Sequence, residues 1–114
     1  MDNSSVLAVK ALDGLSARSI ITAENIANAG TPGYRPLKVT FEEALITAAR
    51  GGSAREIAGV RPRVETQTGP AGETGLRLDL ELATASSTAM RYAALIEVLN
   101  RQMQVHALAV SGGR

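Results

Sequence analysis

Side chains able to do chemistry are few in this chain, and no group of them forms a reactive constellation. The single histidine, His106, has no Asp/Glu-rich cluster nearby in sequence to orient an imidazole base or complete a metal site. Glu42 and Glu43 are adjacent, so on a helix they diverge by about 100° and cannot both face one substrate. Helix capping and a solvated face account for them. The glycines of the middle segment match neither Gly-x-x-x-x-Gly-Lys-Ser/Thr nor Gly-x-Gly-x-x-Gly ahead of a helix, so no phosphate cradle is expected. Arg50, Arg55, Arg61 and Arg63 make a basic run, but no aromatic lies among them to stack a base, and Glu56 and Glu65 interrupt it. Arg18, Glu24, Arg91, Glu97 and Arg101 read as ordinary charges on helix faces. The expectation is a protein that is not an enzyme, with no cofactor, no metal, no nucleic-acid partner and no small-molecule substrate.

The composition points from chemistry toward packing. At 45% hydrophobic and 20% charged, the 114 residues are suited to one soluble domain. Yet there is one Phe, two Tyr and no Trp, so Ala, Leu, Val and Ile supply nearly all the apolar bulk. Helices with narrow Ala/Leu seams pack closely, but a lone pair of them buries little surface, which implies stabilisation by other subunits. The net charge of +1 argues against a dedicated polyanion binder. Cysteine is absent, which removes disulfides, thiolate metal sites and a cysteine nucleophile. No run reaches the roughly 18 apolar residues of a membrane span. Met1-Asp2-Asn3-Ser4-Ser5 lacks a basic n-region, so the chain is expected to be cytoplasmic or to leave by a route that cuts no signal peptide.

Residues 5–29 read as one helix, because Ala8, Leu12, Leu15, Ser19, Thr22, Ile26 and Ala29 recur at alternating steps of three and four. Val6, Val9, Ile20 and Ile21 lie off this thin seam and widen the apolar surface. An Asn-rich last turn then meets Gly30, Pro32 and Gly33, an over-determined stop with Tyr34 after it, positioned to dock on a neighbouring surface. Thr40-Phe41-Glu42-Glu43 matches a capping box for a short helix over 41–50, ended by Gly51-Gly52.

Beyond it, residues 60–66 look extended, and Leu76, Leu78 and Leu80 alternate with Arg77, Asp79 and Glu81 as in a half-buried strand. A small β-hairpin with its turn near 69–75 is the expected result. From Leu82 the three-four alternation returns through Ala85, Ala89, Tyr92, Ile96, Leu99, Met103, His106 and Val110, predicting a second long helix that Ser111-Gly112-Gly113 ends. Thr84, Ser86, Ser87 and Thr88 are mediocre helix formers near its start. The fold class expected is all-α: long N- and C-terminal helices paired as an elongated coiled-coil-like hairpin, with a short middle helix and a small β excursion. It divides into 1–50 (helix, turn, short helix), 51–81 (flexible loop and hairpin) and 82–114 (C-terminal helix) within one structural domain.

Two stretches carry a family resemblance. The first runs from Ala11-Leu12 through Arg18 to Ala23-Glu24-Asn25-Ile26-Ala27-Asn28-Ala29, Thr31-Pro32-Gly33-Tyr34-Arg35 and Val39-Thr40-Phe41-Glu42-Glu43-Ala44-Leu45. The second joins Leu78-Asp79-Leu80-Glu81 to Met90-Arg91-Tyr92 and Leu95-Ile96-Glu97-Val98-Leu99-Asn100-Arg101-Gln102. Together they make the chain resemble the rod and hook family of bacterial flagellar axial proteins. It departs from that pattern at Thr88 and Ala89, where members often carry Asn, and at Gly75-Leu76-Arg77.

The resemblance implies a structural subunit of the proximal rod of the flagellar basal body, polymerising helically to couple the membrane ring to the distal rod and transmit torque. Its implied partners are copies of itself, other rod proteins, the membrane ring, a rod-adaptor protein at the base and, in transit, the flagellar type III export gate. Its implied location is the periplasmic rod, reached without a cleaved signal peptide. Leu12, Leu15, Asn25, Ile26 and Asn28 would form interfaces on the first helix, and Pro32, Gly33 and Tyr34 at the corner. Tyr92, Ile96, Leu99 and Met103 would do so on the second helix. Phe41-x-x-x-Leu45 is similar to the export-gate recognition pattern of rod and hook substrates, and equally an apolar pair one helical turn apart. A different rod subunit, or a soluble helical adaptor or secretion chaperone, is the alternative.

Overall fold

The computed structural model describes residues 2–67 and 77–112. Helix α1 spans Asn3–Ala27 and opens on Asp2, whose Oδ1 accepts the Ser5 N–H at 2.8 Å and so satisfies one free donor of the first turn. It stops at Asn28, whose Nδ2 donates to the Glu24 carbonyl at 2.8 Å. The Thr31 N–H donates to the Asn28 carbonyl at 2.9 Å, and Gly33 takes the positive φ of 78° that the turn requires. The chain reverses there and runs back beside α1.

The returning segment forms β1 (Leu37–Thr40), α2 (Glu42–Gly51), α3 (Ala54–Ala58) and β2 (Arg63–Thr66). β1 and β2 pair antiparallel, with Leu37 opposite Thr66 and Thr40 opposite Arg63. Helix α4 (Leu78–Gly112) then lies antiparallel to α1: Asn25 meets Glu81 at one end, and Ser5 meets Gln102 at the other. At 35 residues, α4 is about 50 Å long and gives the molecule its 64 × 26 × 15 Å outline. The expected all-α hairpin with a short middle helix and a small β excursion is what the chain adopts.

The β excursion is wired differently from the hairpin read in the sequence. Leu78, Leu80 and Glu81 begin α4, and Leu76 and the 69–75 turn lie outside the described residues. The alternation mimics a strand, yet Leu78 and Leu80 are exposed and Glu81 is the buried one. Acidic Asp79 and Glu81 also suit the first turn of a helix. The partner of β2 is instead β1, whose four residues follow directly on the turn. The capping box does not form: Thr40 belongs to β1, Phe41 occupies the N-cap position with no side-chain cap, and α2 begins at Glu42.

The core lies under the returning segment. Leu15 of α1 packs with Val39, Phe41, Leu45, Ala48 and Ile57, and half-buried Val6, Leu7, Ala11, Ala17 and Ile21 close over them. Burying each large member contributes about 1.5–3 kcal/mol. Part of the surplus apolar surface of α1 is thus covered by the chain's own α2, α3 and sheet, although Ile20 remains exposed. From α4, only Leu95 joins this cluster.

Candidate functional site

Asn25 is the polar centre of the corner and is 1% exposed. Its Oδ1 accepts the Leu37 N–H at 3.1 Å and the Tyr34 hydroxyl at 2.8 Å. Its Nδ2 donates to the Leu37 carbonyl at 2.8 Å and to Glu81 Oε2 at 3.1 Å. Gln67 Nε2 repeats the second pattern, donating to the Leu37 carbonyl at 3.0 Å and to Glu81 Oε1 at 2.7 Å. Two amide groups therefore bridge the end of β1 to the first turn of α4. Burial, then the Glu24 and Glu81 carboxylates, push the Tyr34 phenol up from its ordinary value, so it stays a hydroxyl donor. Among the described residues, no buried side-chain polar atom lacks a partner.

A second cluster holds α2 on α1. The Phe41 ring lies directly on the α1 backbone at Gly14, where an added Cβ would overlap the ring carbons. Arg18 lies over the ring, its Cζ 4.8 Å from the ring centroid. Its guanidinium forks onto Glu42, both N···O distances being 2.7 Å, and NH2 also donates to the Val39 carbonyl at 2.8 Å. Arg91 of α4 reaches the same carboxylate at 3.5 Å. The Arg18 hydrogen bonds outweigh partial burial and lower the Glu42 pKa from its ordinary 4.5 to about 2. Arg18 and Glu42, read in the sequence as solvated charges, instead fasten two helices and a strand.

The predicted interface residues divide into an inner and an outer group. Leu15 is buried with Phe41 and Leu45 in the core, Asn25 is buried with Tyr34 against it, and Leu12, Ile26, Asn28 and Leu99 are half-buried. Tyr34 docks on α1 through its hydroxyl, which donates to Asn25. Pro32, Gly33, Tyr92, Ile96 and Met103 are exposed. On α4, Glu81 and Thr88 are buried, and Thr84, Ala85, Leu95, Leu99 and Gln102 are half-buried. The three-four seam read in the sequence runs along the edge of the α1 contact: Ala85 and Leu99 are half-buried and Tyr92 borders Ser16 and Ser19 of α1, whereas Leu82 is 52% exposed and Met103 58%. Its exposed members, Leu82, Tyr92, Ile96 and Met103, leave an apolar flank on α4, a surface suited to another helix.

Sequence reasoning missed Glu81, Gln67, Gly14 and the pairing role of Arg18. A glycine inside a helical pattern costs about 1 kcal/mol and signals a packing reason, so Gly14 carried a readable clue. Glu81 and Gln67 meet only through the tertiary fold. Among the described residues, no group of acidic, histidine or cysteine side chains could hold a metal ion, and no helix is long and apolar enough to cross a membrane. Comparison with protein-family models and with curated proteins found no match to this chain.

Proposed function

We propose that this chain is a structural subunit of a helical assembly, of the flagellar rod and hook axial class. Within that class its motifs are most similar to those of the proximal rod protein FlgB; another rod subunit such as FlgC is the neighbouring alternative. The observation that carries the reading is the exposed seam of α4. Apolar residues hold a helix-packing period over the length of the helix, and many of them stay exposed beside the α1 contact, which suits a subunit completed by its neighbours. The antiparallel α1/α4 pair, joined at the corner by Asn25 and Glu81, is a stiff unit for transmitting torque. A rod requires different patches for different neighbours, since its contacts do not close on themselves. Partners in this reading are copies of the chain, other rod proteins, the membrane ring with its adaptor, and the export gate in transit.

Photo-crosslinking in assembled basal bodies tests the reading. A crosslinker placed at Tyr92 or Ile96 is expected to capture copies of the chain and ring or adaptor proteins. Adducts to hook subunits alone, or a chain found only in the cytoplasm, would reject it in favour of a different rod level or a soluble adaptor.

A further inference from the structure

We propose that residues 103–112, the end of α4, dock into the groove between α1, α2 and α4 of a second copy of this chain. The end of α4 contains no Asp, Glu, Lys or Arg. Met103, Ala107 and Val110 lie on one flank, and Val105, Leu108 and Ala109 lie on another, so it is apolar nearly all round. Such a helix is ordinarily enclosed. Here every residue of it is exposed, Leu108 by 71% and Val105 by 65%.

The groove has the matching character. It measures 830 Å³ and is walled by Leu7 of α1, Leu45, Ile46 and Ala49 of α2, and Leu95 and Val98 of α4. Its wall on α4 runs from Arg91 to Gln102, about 16 Å, and the ten residues beyond Gln102 make a helix of about 15 Å. A subunit's own helix end begins where its groove finishes and continues away from it, so it cannot fill its own groove, whereas the end of a second copy can. The groove's charged lining is Glu42, already held by Arg18 and approached by Arg91, together with Arg50, and a helix end without Lys or Arg brings no like charge against these arginines.

The surface area leaves room for two such contacts per subunit. The chain exposes 7779 Å², about 1,800 Å² more than a compact protein of 11.9 kDa would expose. A standard interface removes about 800 Å² from each partner. One contact through the helix end and one through the groove would cover part of the excess, in a heterologous arrangement that propagates. This inference deepens the assembly reading and rests on its premise that copies of the chain meet.

The chain has no cysteine, so introduced thiols report their own contacts only. Full-length Leu108→Cys and Ile46→Cys, purified with different tags, are mixed and treated with a short bis-maleimide. The expected product is the mixed Leu108→Cys/Ile46→Cys dimer in excess over either homodimer, and a ladder of higher species from the double variant. Leu108→Glu should raise the concentration at which the chain self-associates by at least about tenfold, from the loss of one buried leucine. Homodimers of Leu108→Cys alone would show that helix ends pair with each other and overturn the proposal, as would a chain that stays monomeric without adducts. Flotation with phosphatidylcholine vesicles, lost in Leu108→Glu and without the mixed adduct, would assign the segment to lipid and also overturn it. A mixed adduct from a protein absent from basal bodies would retain the docking contact and reject the rod assignment. Basal-body adducts without the mixed adduct would do the reverse.

Discussion

Asn25 stands in for a strand neighbour of Leu37, meeting both its N–H and its carbonyl as a backbone peptide would. The remaining lone pair and proton of its carboxamide go to Tyr34 and Glu81, so one side chain ties the corner, the sheet and α4 together. An aspartate has nearly the same shape but lacks the amide protons. Asn25→Asp would place a second carboxylate against Glu81 and the Leu37 carbonyl in a buried site, at a cost of about 3 kcal/mol. The expected result is a markedly lower urea midpoint at neutral pH. Glu81→Gln in the Asn25→Asp background should recover about half of the loss, because the new amide can donate where the carboxylate repelled. Equal midpoints for Asn25→Asp and the parent would show that the pair does not couple α1 to α4.

At the scale of elements, the two long helices and the stop between them were legible because their signals are local and repeated: heptad spacing over many turns, then Asn, Gly, Pro and Gly in succession. The short elements were not. β1 and β2 have four residues each and α3 has five, too few for a period to stand out. Their positions depend on Phe41 finding Gly14 and on Ile57 reaching the core, which are contacts between distant residues. The Leu78/Leu80 alternation misled because burying Glu81 requires the amides of Asn25 and Gln67, which no local pattern announces. The site divided in the same way: the seam of α4 was readable from spacing, though not which of its residues α1 leaves exposed, and Arg18 and Glu42 became recognisable as a pair only once α2 lay on α1.

That pair gives α2 a pH dependence of definite sign. The folded Glu42 pKa is depressed from its ordinary 4.5 to about 2, so its contribution is fully present above about pH 4.5 and is lost as pH falls toward 2. Its side chain remains 39% exposed, so solvent screening reduces the effect. Urea melts at successive pH values should show Glu42→Gln less stable than the parent at neutral pH, with the difference closing between about 4.5 and 2. A difference that does not change with pH would show that the bridge contributes no charge-dependent stability.

Over the whole molecule, the distribution of burial predicts where the isolated chain opens first. The core and the Asn25 corner hold the middle of α1, the sheet and α2, while α4 beyond Gln102 has every side chain exposed. Backbone hydrogen bonds without tertiary cover are broken by local fraying, whereas those under a core break only on larger openings. In amide hydrogen exchange, residues 103–112 of the dilute monomer should therefore lose their protons fastest among the helical segments, and the amides around Leu15 and Leu45 slowest. Raising the protein concentration until subunits associate should slow exchange over 103–112 and over the groove residues of α2 together, because one contact covers both. Slowing confined to the Tyr92–Ile96 flank of α4 would instead place self-association on the lateral seam and leave the helix end for another partner.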